Sequence, residues 1–241
     1  MPVLYIVATP IGNLEDITLR ALRVLEEVHL IAAEDTRTAR KLLNRYNLKT
    51  PLTSYYEHNK KAKLPLLINT LKVKDIALIS DAGTPSISDP GYELIRASID
   101  NGYQVIAIPG CSAITTALVV SGLPCNQFIY VGFLPRKKGE RKLLFQSITE
   151  EPRTVVCFES PHRLVVSLGE MLEMLGDRKI CVCRELTKVH EEVFRGTISE
   201  AAAHFLKPRG EFTLVIEGKG NLMKKLRHGK KKFISGETEC S

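Results

Sequence analysis

The feature that most limits the fold of this chain is a set of short apolar runs, each stopping at a loop of small and turn-forming residues. Leu4–Ala8, Leu30–Ala33, Ile76–Ile79 and Val105–Ile108 have strand length and β-rich composition. Helical spacing fills the intervals: Ala21, Leu22, Leu25 and Val28 share one face, a basic helix runs to about Tyr46, and further helices span about Lys61–Leu71 and Tyr92–Asn101. A short strand near Leu52–Ser54 lies between the second and third helices. Strands alternating with amphipathic helices predict a mostly parallel sheet covered on both faces. Ligands of such sheets bind beyond the carboxyl ends of the strands. Here those ends carry Thr9–Leu14, Glu34–Arg37, Ser80–Gly91 and Pro109–Ala113, all rich in Gly, Pro, Ser, Thr or Asp.

After Ser121-Gly122-Leu123-Pro124 the pattern restarts, with strands expected near Phe128–Val131, Thr154–Phe158, Ile180–Arg184, Val193–Gly196 and Phe212–Glu217. Helices are expected over Leu164–Leu175 and around Glu200–Phe205, so strands are more often consecutive and this sheet reads as mixed. The expected division is an α/β domain over residues 1–122, a second α/β domain over 123–218 and a basic tail over 219–241. The net charge of +7 is concentrated in Arg136-Lys137-Lys138, Arg141-Lys142, Lys224-Lys225 and Lys230-Lys231-Lys232, which favours a polyanionic partner. The six cysteines include no Cys-x-x-Cys pair, and no apolar run approaches membrane-spanning length, so a cytoplasmic protein with reduced thiols is expected.

Several chemistries are unsupported. The chain has no G-x-G-x-x-G after its first strand, no P-loop and no G-x-S-x-G elbow, and its histidines are dispersed without metal-ligand spacing. What remains is a set of loops offering mainly backbone amides, hydroxyls and carboxylates, whereas a polyphosphate normally calls for Lys or Arg in the loops. That donor set suits a zwitterionic, nucleoside-containing cofactor. Asp81 can accept from a ribose or an ammonium, and Ser112 with Ala113 can present N–H groups at a helix start. Asp89-Pro90-Gly91 reads as the start of the fourth helix, with Asp89 as its cap.

Taken together, Thr9-Pro10-Ile11-Gly12-Asn13-Leu14-Glu15-Asp16-Ile17-Thr18, Ala33-Glu34-Asp35-Thr36-Arg37, Ser80–Gly91, Pro109-Gly110-Cys111-Ser112-Ala113, Glu159-Ser160-Pro161-His162-Arg163 and Gly210-Glu211-Phe212-Thr213-Leu214 closely resemble the ribosomal RNA small-subunit methyltransferase I family. That family lies within the tetrapyrrole-methylase-like superfamily, and the resemblance runs from about Leu4 to Gly218. It implies two α/β domains with S-adenosylmethionine in the cleft between them, a homodimer, and 2′-O-methylation of a cytidine ribose in the decoding region of 16S ribosomal RNA. The cofactor residues it implies are Pro10, Gly12, Asp81, Gly83, Thr84, Ser112 and Ala113, with Glu159, Ser160 and Thr213 from the second domain. No metal is implied. Longer members of the family continue into a further helical region where this chain has a short basic tail.

Methyl transfer to a hydroxyl needs in-line alignment and a proton acceptor. Glu34, Asp35 and Glu159 are the candidate bases, since each sits at a strand end. Competing structural roles are an N-cap for Asp35 or Thr36 and an ion pair of Glu159 with Arg163. Arg37, Arg40 and Lys41, then Arg136, Lys137, Lys138 and Arg141, with Arg163, are the candidate RNA contacts. Tyr55, Tyr56 and His58 either stack bases or pack in the core. Rival functions are methylation of a tetrapyrrole or a protein side chain on the same fold, and a non-catalytic role in ribosome assembly.

Overall fold

The computed structural model describes residues 2–220, and most of the expected basic tail falls outside them. Strands β1 (Val3–Val7), β2 (Leu30–Ala33), β3 (Leu52–Ser54), β4 (Ile76–Ile79) and β5 (Gln104–Ile108) form one sheet in the order β3-β2-β4-β1-β5. Every pairing in it is parallel. Between the strands run α1 (Leu19–Glu27), α2 (Thr36–Arg45), α3 (Lys60–Thr70) and α4 (Tyr92–Asp100), and α5 (Ala113–Ser121) follows β5.

The two-residue period of a strand decides which helix each side chain meets. Tyr5, Val7, Ile31, Ala33, Ala77 and Ile79 face one side, where they pack with Val24 and Leu25 of α1 and Leu42 and Leu43 of α2. Leu4, Ile6, Ala32, Ile76 and Leu78 face the other, against Leu67 of α3 and Leu94 of α4. Both faces are therefore apolar, which is why these strands read as continuous hydrophobic runs rather than alternating ones.

The second sheet contains β6 (Phe128–Phe133), β7 (Thr154–Glu159), β8 (Lys179–Arg184), β9 (Glu192–Thr197) and β10 (Phe212–Ile216), in the order β6-β7-β10-β8-β9. Only β6 and β7 pair in parallel; β10 runs antiparallel to β7 and β8, and β8 to β9. Helices α6 (Lys138–Ser147), α7 (Leu164–Leu175) and α8 (Ile198–His204) accompany it, and their apolar side chains Phe145, Leu168, Met171 and Ile198 share a core with Val155, Cys157, Val182 and Leu214. Cys181 and Cys183 lie on one face of β8 with their sulfurs 3.7 Å apart, as their spacing requires.

The chain divides into two compact units. One is Met1–Ala113 with Leu186–Val189; the other contains Ile114–Glu185 and continues from His190. The break falls before α5 rather than after it, and one cause is visible: the Arg195 guanidinium of β9 donates to the Val120 carbonyl of α5 at 2.8 and 2.5 Å. Among the described residues, no helix is long and apolar enough to cross a membrane.

Candidate active site

Four strand-end loops of the first unit are tied to one another. Thr9 and Gly83 exchange both backbone hydrogen bonds, at 2.9 and 3.0 Å, joining the loops after β1 and β4. The Thr84 hydroxyl donates to the Cys111 carbonyl at 3.4 Å, and the Cys111 thiol donates to the Asp16 carbonyl at 3.2 Å. The loop after β2 joins through carboxylates: Asp81 N–H donates to Glu34 Oε2 at 3.3 Å, and Asp35 N–H donates to Asp81 Oδ1 at 3.0 Å. Glu34, Asp81, Gly83 and Thr84 are thus brought together as expected.

Burial separates the roles of these acids. Asp35 caps α2, accepting from Arg37 N–H at 2.8 Å, and its carboxylate takes the Arg37 guanidinium through Oδ2 at 2.6 Å. The Arg37 side chain holds the Asp35 carboxyl well down, to about 2. An acid that stays ionised to this degree is a poor proton acceptor near neutrality, so Asp35 leaves the set of candidate bases. Desolvation raises Glu34, and the neighbouring charges of Asp81 and Asp35 add to it. Desolvation also raises Asp81. Asp81 Oδ2 makes no hydrogen bond among the described residues.

Asp89 belongs to this group, and the sequence reading missed it. The expected cap is not made: α4 starts at Tyr92, and its N-cap position is Gly91, whose φ of 154° turns the chain there. Asp89 is half-buried, and burial pushes its carboxyl up to about 7, helped by the charge of Glu34 and opposed by the Ser80 hydroxyl. The segment before it holds Ser86 and Ser88 at φ 72° and 64°, a left-handed backbone that costs non-glycine residues about 1 kcal/mol or more each. The only signal for Asp89 in the sequence was its place in the loop, and Pro90 made that look like a helix start.

Gly12 has a different reason to be glycine than an approaching ligand. A Cβ there would strike Lys188 Cγ and lie 2.7 Å from Thr187 Oγ1 and 2.9 Å from the Leu186 carbonyl. Thr187 Oγ1 also accepts from Asn13 N–H at 3.0 Å. Pro10 beside it is buried. Ser112 and Ala113 stand at the start of α5, after the loop that Thr84 holds.

In the second unit, three of the expected site residues have partners within the fold. Glu159 is 1% exposed, with Oε1 accepting from Ser160 N–H at 2.7 Å and meeting Arg163 Nη2 at 2.7 Å, while the Ser167 hydroxyl donates to Oε2 at 2.5 Å. A carboxylate so occupied serves as a structural anchor at the start of α7. Arg163 also donates through Nε to the Ser160 hydroxyl and through Nη1 to the Leu134 carbonyl, which ties its guanidinium to the loops around the start of α7. Arg141 is 4% exposed; its guanidinium bonds Glu170 at 2.5 and 3.0 Å and the Pro135 and Arg136 carbonyls. Sequence could not distinguish this buried arginine from the exposed Arg136, Lys137 and Lys138 beside it. Thr213 is buried on β10, and Ser160 follows β7. Arg37, Arg40 and Lys41 are exposed on α2.

The loops of the first unit fit a nucleoside-containing cofactor. A partly desolvated carboxylate oxygen, Asp81 Oδ2, is available to ribose hydroxyls or an ammonium. The tied backbone of residues 9–12, 80–84 and 109–113 supplies a fixed surface beside it.

Comparison with known proteins shows the family and the fold. The family model described as Tetrapyrrole (Corrin/Porphyrin) Methylases matches residues 3–202. The protein of Thermotoga maritima named Ribosomal RNA small subunit methyltransferase I is 52% identical over 219 residues, covering 90% of this chain and 98% of its own. Proteins of the same name from Halalkalibacterium halodurans and Bacillus subtilis are 51% and 50% identical, over 90% and 92% of this chain and 76% and 77% of their own lengths. Among solved structures, uroporphyrin-III-C-methyltransferase from Thermus thermophilus superposes with a TM-score of 0.63 at 20% identity, covering 94% of this chain and 99% of its own. A cobalt precorrin-4 methyltransferase gives 0.67 at 14% identity, covering 89% and 94%. At these identities the structural matches speak for the fold alone.

Proposed function

The chain belongs to the tetrapyrrole methylase family and, within it, to the ribosomal RNA small subunit methyltransferase I group, and we propose that it methylates the 2′-hydroxyl of a cytidine ribose in the decoding region of 16S ribosomal RNA. S-adenosylmethionine is the methyl donor that this family implies. The observation that carries the reading is the tying of the other three strand-end loops to the Asp81–Thr84 loop, in a chain half identical to named ribosomal RNA methyltransferases.

When bound, the cofactor supplies a sulfonium-activated methyl group. The work of the protein is then alignment and proton removal. Asp81 would hold the nucleoside or ammonium end, and the Thr9–Gly83 bridge fixes the loop that carries it. Alignment of reacting groups accounts for up to about 7–11 kcal/mol in oriented systems. The acceptor hydroxyl gives its proton to the Glu34 and Asp89 pair, whose burial raises both carboxyls toward the range where a base works near neutral pH. Ser160 and Thr213 are carried as further cofactor contacts by the resemblance alone.

Arg40 and Lys41, exposed on α2 after the Glu34 loop, together with Arg136, Lys137 and Lys138, are proposed to bind RNA phosphates. The homodimer is likewise a proposal, supported by the exposed Phe128 and Phe133 on edge strand β6. A ribosomal substrate places the protein in the cytoplasm. The test is transfer of labelled methyl to small subunits from a strain lacking the enzyme, followed by mapping of the label. Label on a decoding-region cytidine ribose supports the reading. Label on protein, or none, refutes it.

A further inference from the structure

Tyr55 and Tyr56 are adjacent, yet the fold gives them opposite fates. Tyr55 is fully buried in the core between the sheet, α3 and α4, and its N–H continues the β2 pairing by donating to the Ala33 carbonyl at 2.8 Å. Tyr56 is 40% exposed and lies outside the core cluster that holds Tyr55. Its backbone is nonetheless held from several directions. Asn59 Oδ1 accepts from Tyr56 N–H at 2.8 Å, and Asn59 Nδ2 donates to Ser54 Oγ at 3.0 Å. The Tyr56 carbonyl accepts from Asn59 and Lys60 N–H at 3.0 and 2.9 Å. Lys60 is clamped between Glu57 and Glu93, at 2.8 and 2.5 Å, which fastens the turn to α4. The exposed His58 ring stands edge-on to Tyr56, with centroids 6.3 Å apart and planes at 76°.

A single exposed tyrosine on a surface needs no explanation. One on a turn with this many fixed backbone groups, braced by a second ring, is preorganised to offer a π-face. The register of the sheet says where. Ser54 of β3 pairs with Ala33 of β2 and Tyr55 N–H reaches the Ala33 carbonyl, so Tyr56 follows the carboxyl end of β3 at the same end of the sheet as the loop after β2, which carries Glu34 and leads into α2 with its exposed Arg37, Arg40 and Lys41. Arg37 is engaged by Asp35 through Nε and Nη2, whereas the exposed Arg40 and Lys41 form no ion pair among the described residues, which makes these two the preferred cations for a ligand. An aromatic face beside cations, at the rim of the acceptor site, is the combination that holds single-stranded nucleic acid by stacking and phosphate contact.

We propose that Tyr56, braced by His58, is a stacking platform for an unpaired base of the substrate RNA, with Arg40 and Lys41 on the adjoining phosphates. The inference rests on the RNA-methyltransferase reading above and assigns that site a base-binding element. Stacking tolerates base identity, so the platform positions the strand while leaving choice of nucleotide to other contacts.

The test compares wild type, Tyr56→Ala, Tyr56→Phe and His58→Ala for methyl transfer to unmethylated small subunits and, separately, for S-adenosylmethionine affinity by calorimetry. Tyr56→Ala is expected to raise KM for the subunit about 5- to 150-fold with cofactor affinity unchanged. Tyr56→Phe restores KM because the π-face survives, and His58→Ala gives a smaller rise. An unchanged KM in Tyr56→Ala overturns the proposal. So does a loss confined to kcat or to cofactor affinity, or a Phe variant as poor as Ala. If wild type itself places no methyl on the RNA, the functional reading fails and this inference with it; a failure of Tyr56→Ala alone leaves that reading standing.

Discussion

Replacing Asp89 with asparagine should make the protein more stable at pH 8 while changing it far less at pH 4.5. In an unfolded chain this carboxyl ionises near its ordinary value of 3.8, whereas burial beside Glu34 holds it up to about 7 in the fold. Between those two values the unfolded state has released the proton and the folded state keeps it. Stability therefore falls as pH rises through that window, levels off above about 7, and is unaffected below about 4. The gap is about three pH units, and at about 1.4 kcal/mol each it sets a ceiling near 4 kcal/mol. Asp89 is only half-buried, so solvent screening roughly halves this, to about 2 kcal/mol. Asparagine has nearly the same shape and never ionises, so it escapes the loss. Urea denaturation of both proteins from pH 4.5 to 8, without cofactor, reads the difference directly, since other titrating groups are common to both. The advantage of Asp89→Asn should grow with pH by about 2 kcal/mol and then plateau. A difference that is flat across the range, or one that shrinks as pH rises, would refute the placement of Asp89 in a desolvated acidic cluster.

Gly12→Ala should cost about 1–3 kcal/mol by overpacking against Lys188, Thr187 and the Leu186 carbonyl, seen as a lower urea midpoint; Gly139→Ala in α6, where a Cβ meets nothing, is the control and should raise the midpoint slightly, by the equivalent of about 0.4–1 kcal/mol. Glu170→Gln leaves the buried Arg141 charge without its ionic partner and should destabilise by about 3–5 kcal/mol, while Arg141→Met with Glu170→Leu should recover most of that in the same assay. Asp81→Ala should weaken S-adenosylmethionine binding about 10- to 100-fold by calorimetry, the loss of a hydrogen bond to a charged group; unchanged affinity removes Asp81 from the site.

The first sheet could be read from the chain because its strands are buried on both faces. Ile76, Ala77, Leu78 and Ile79 are all apolar since alternate residues meet different helices, and that leaves a run no loop or exposed helix would show. The acidic rim was only half legible. Glu34 and Asp81 stood out because a strand ended just before them, whereas Asp89 was masked by Pro90, which fits a helix start equally well in one dimension. The basic clusters were the least legible part. Arg136, Lys137, Lys138 and Arg141 look alike in a row of letters, but one turn of α6 takes Arg141 inward to Glu170 and leaves the others in water.

What the sequence determined by itself was local: strand length and apolarity, loop chemistry at the strand ends, and a set of motifs specific enough to name a family. Tertiary structure decided which carboxylate is free. Asp35 and Glu159 are spent on Arg37 and Arg163, while Glu34, Asp81 and Asp89 are left partly desolvated and near one another. The physical reason is that a carboxylate's proton affinity depends on its solvation and on charges a few ångströms away: the partners of Asp35 and Glu159 lie two and four residues on and were foreseeable, whereas Glu34 and Asp81 meet only because the fold joins loops 46 and 47 residues apart.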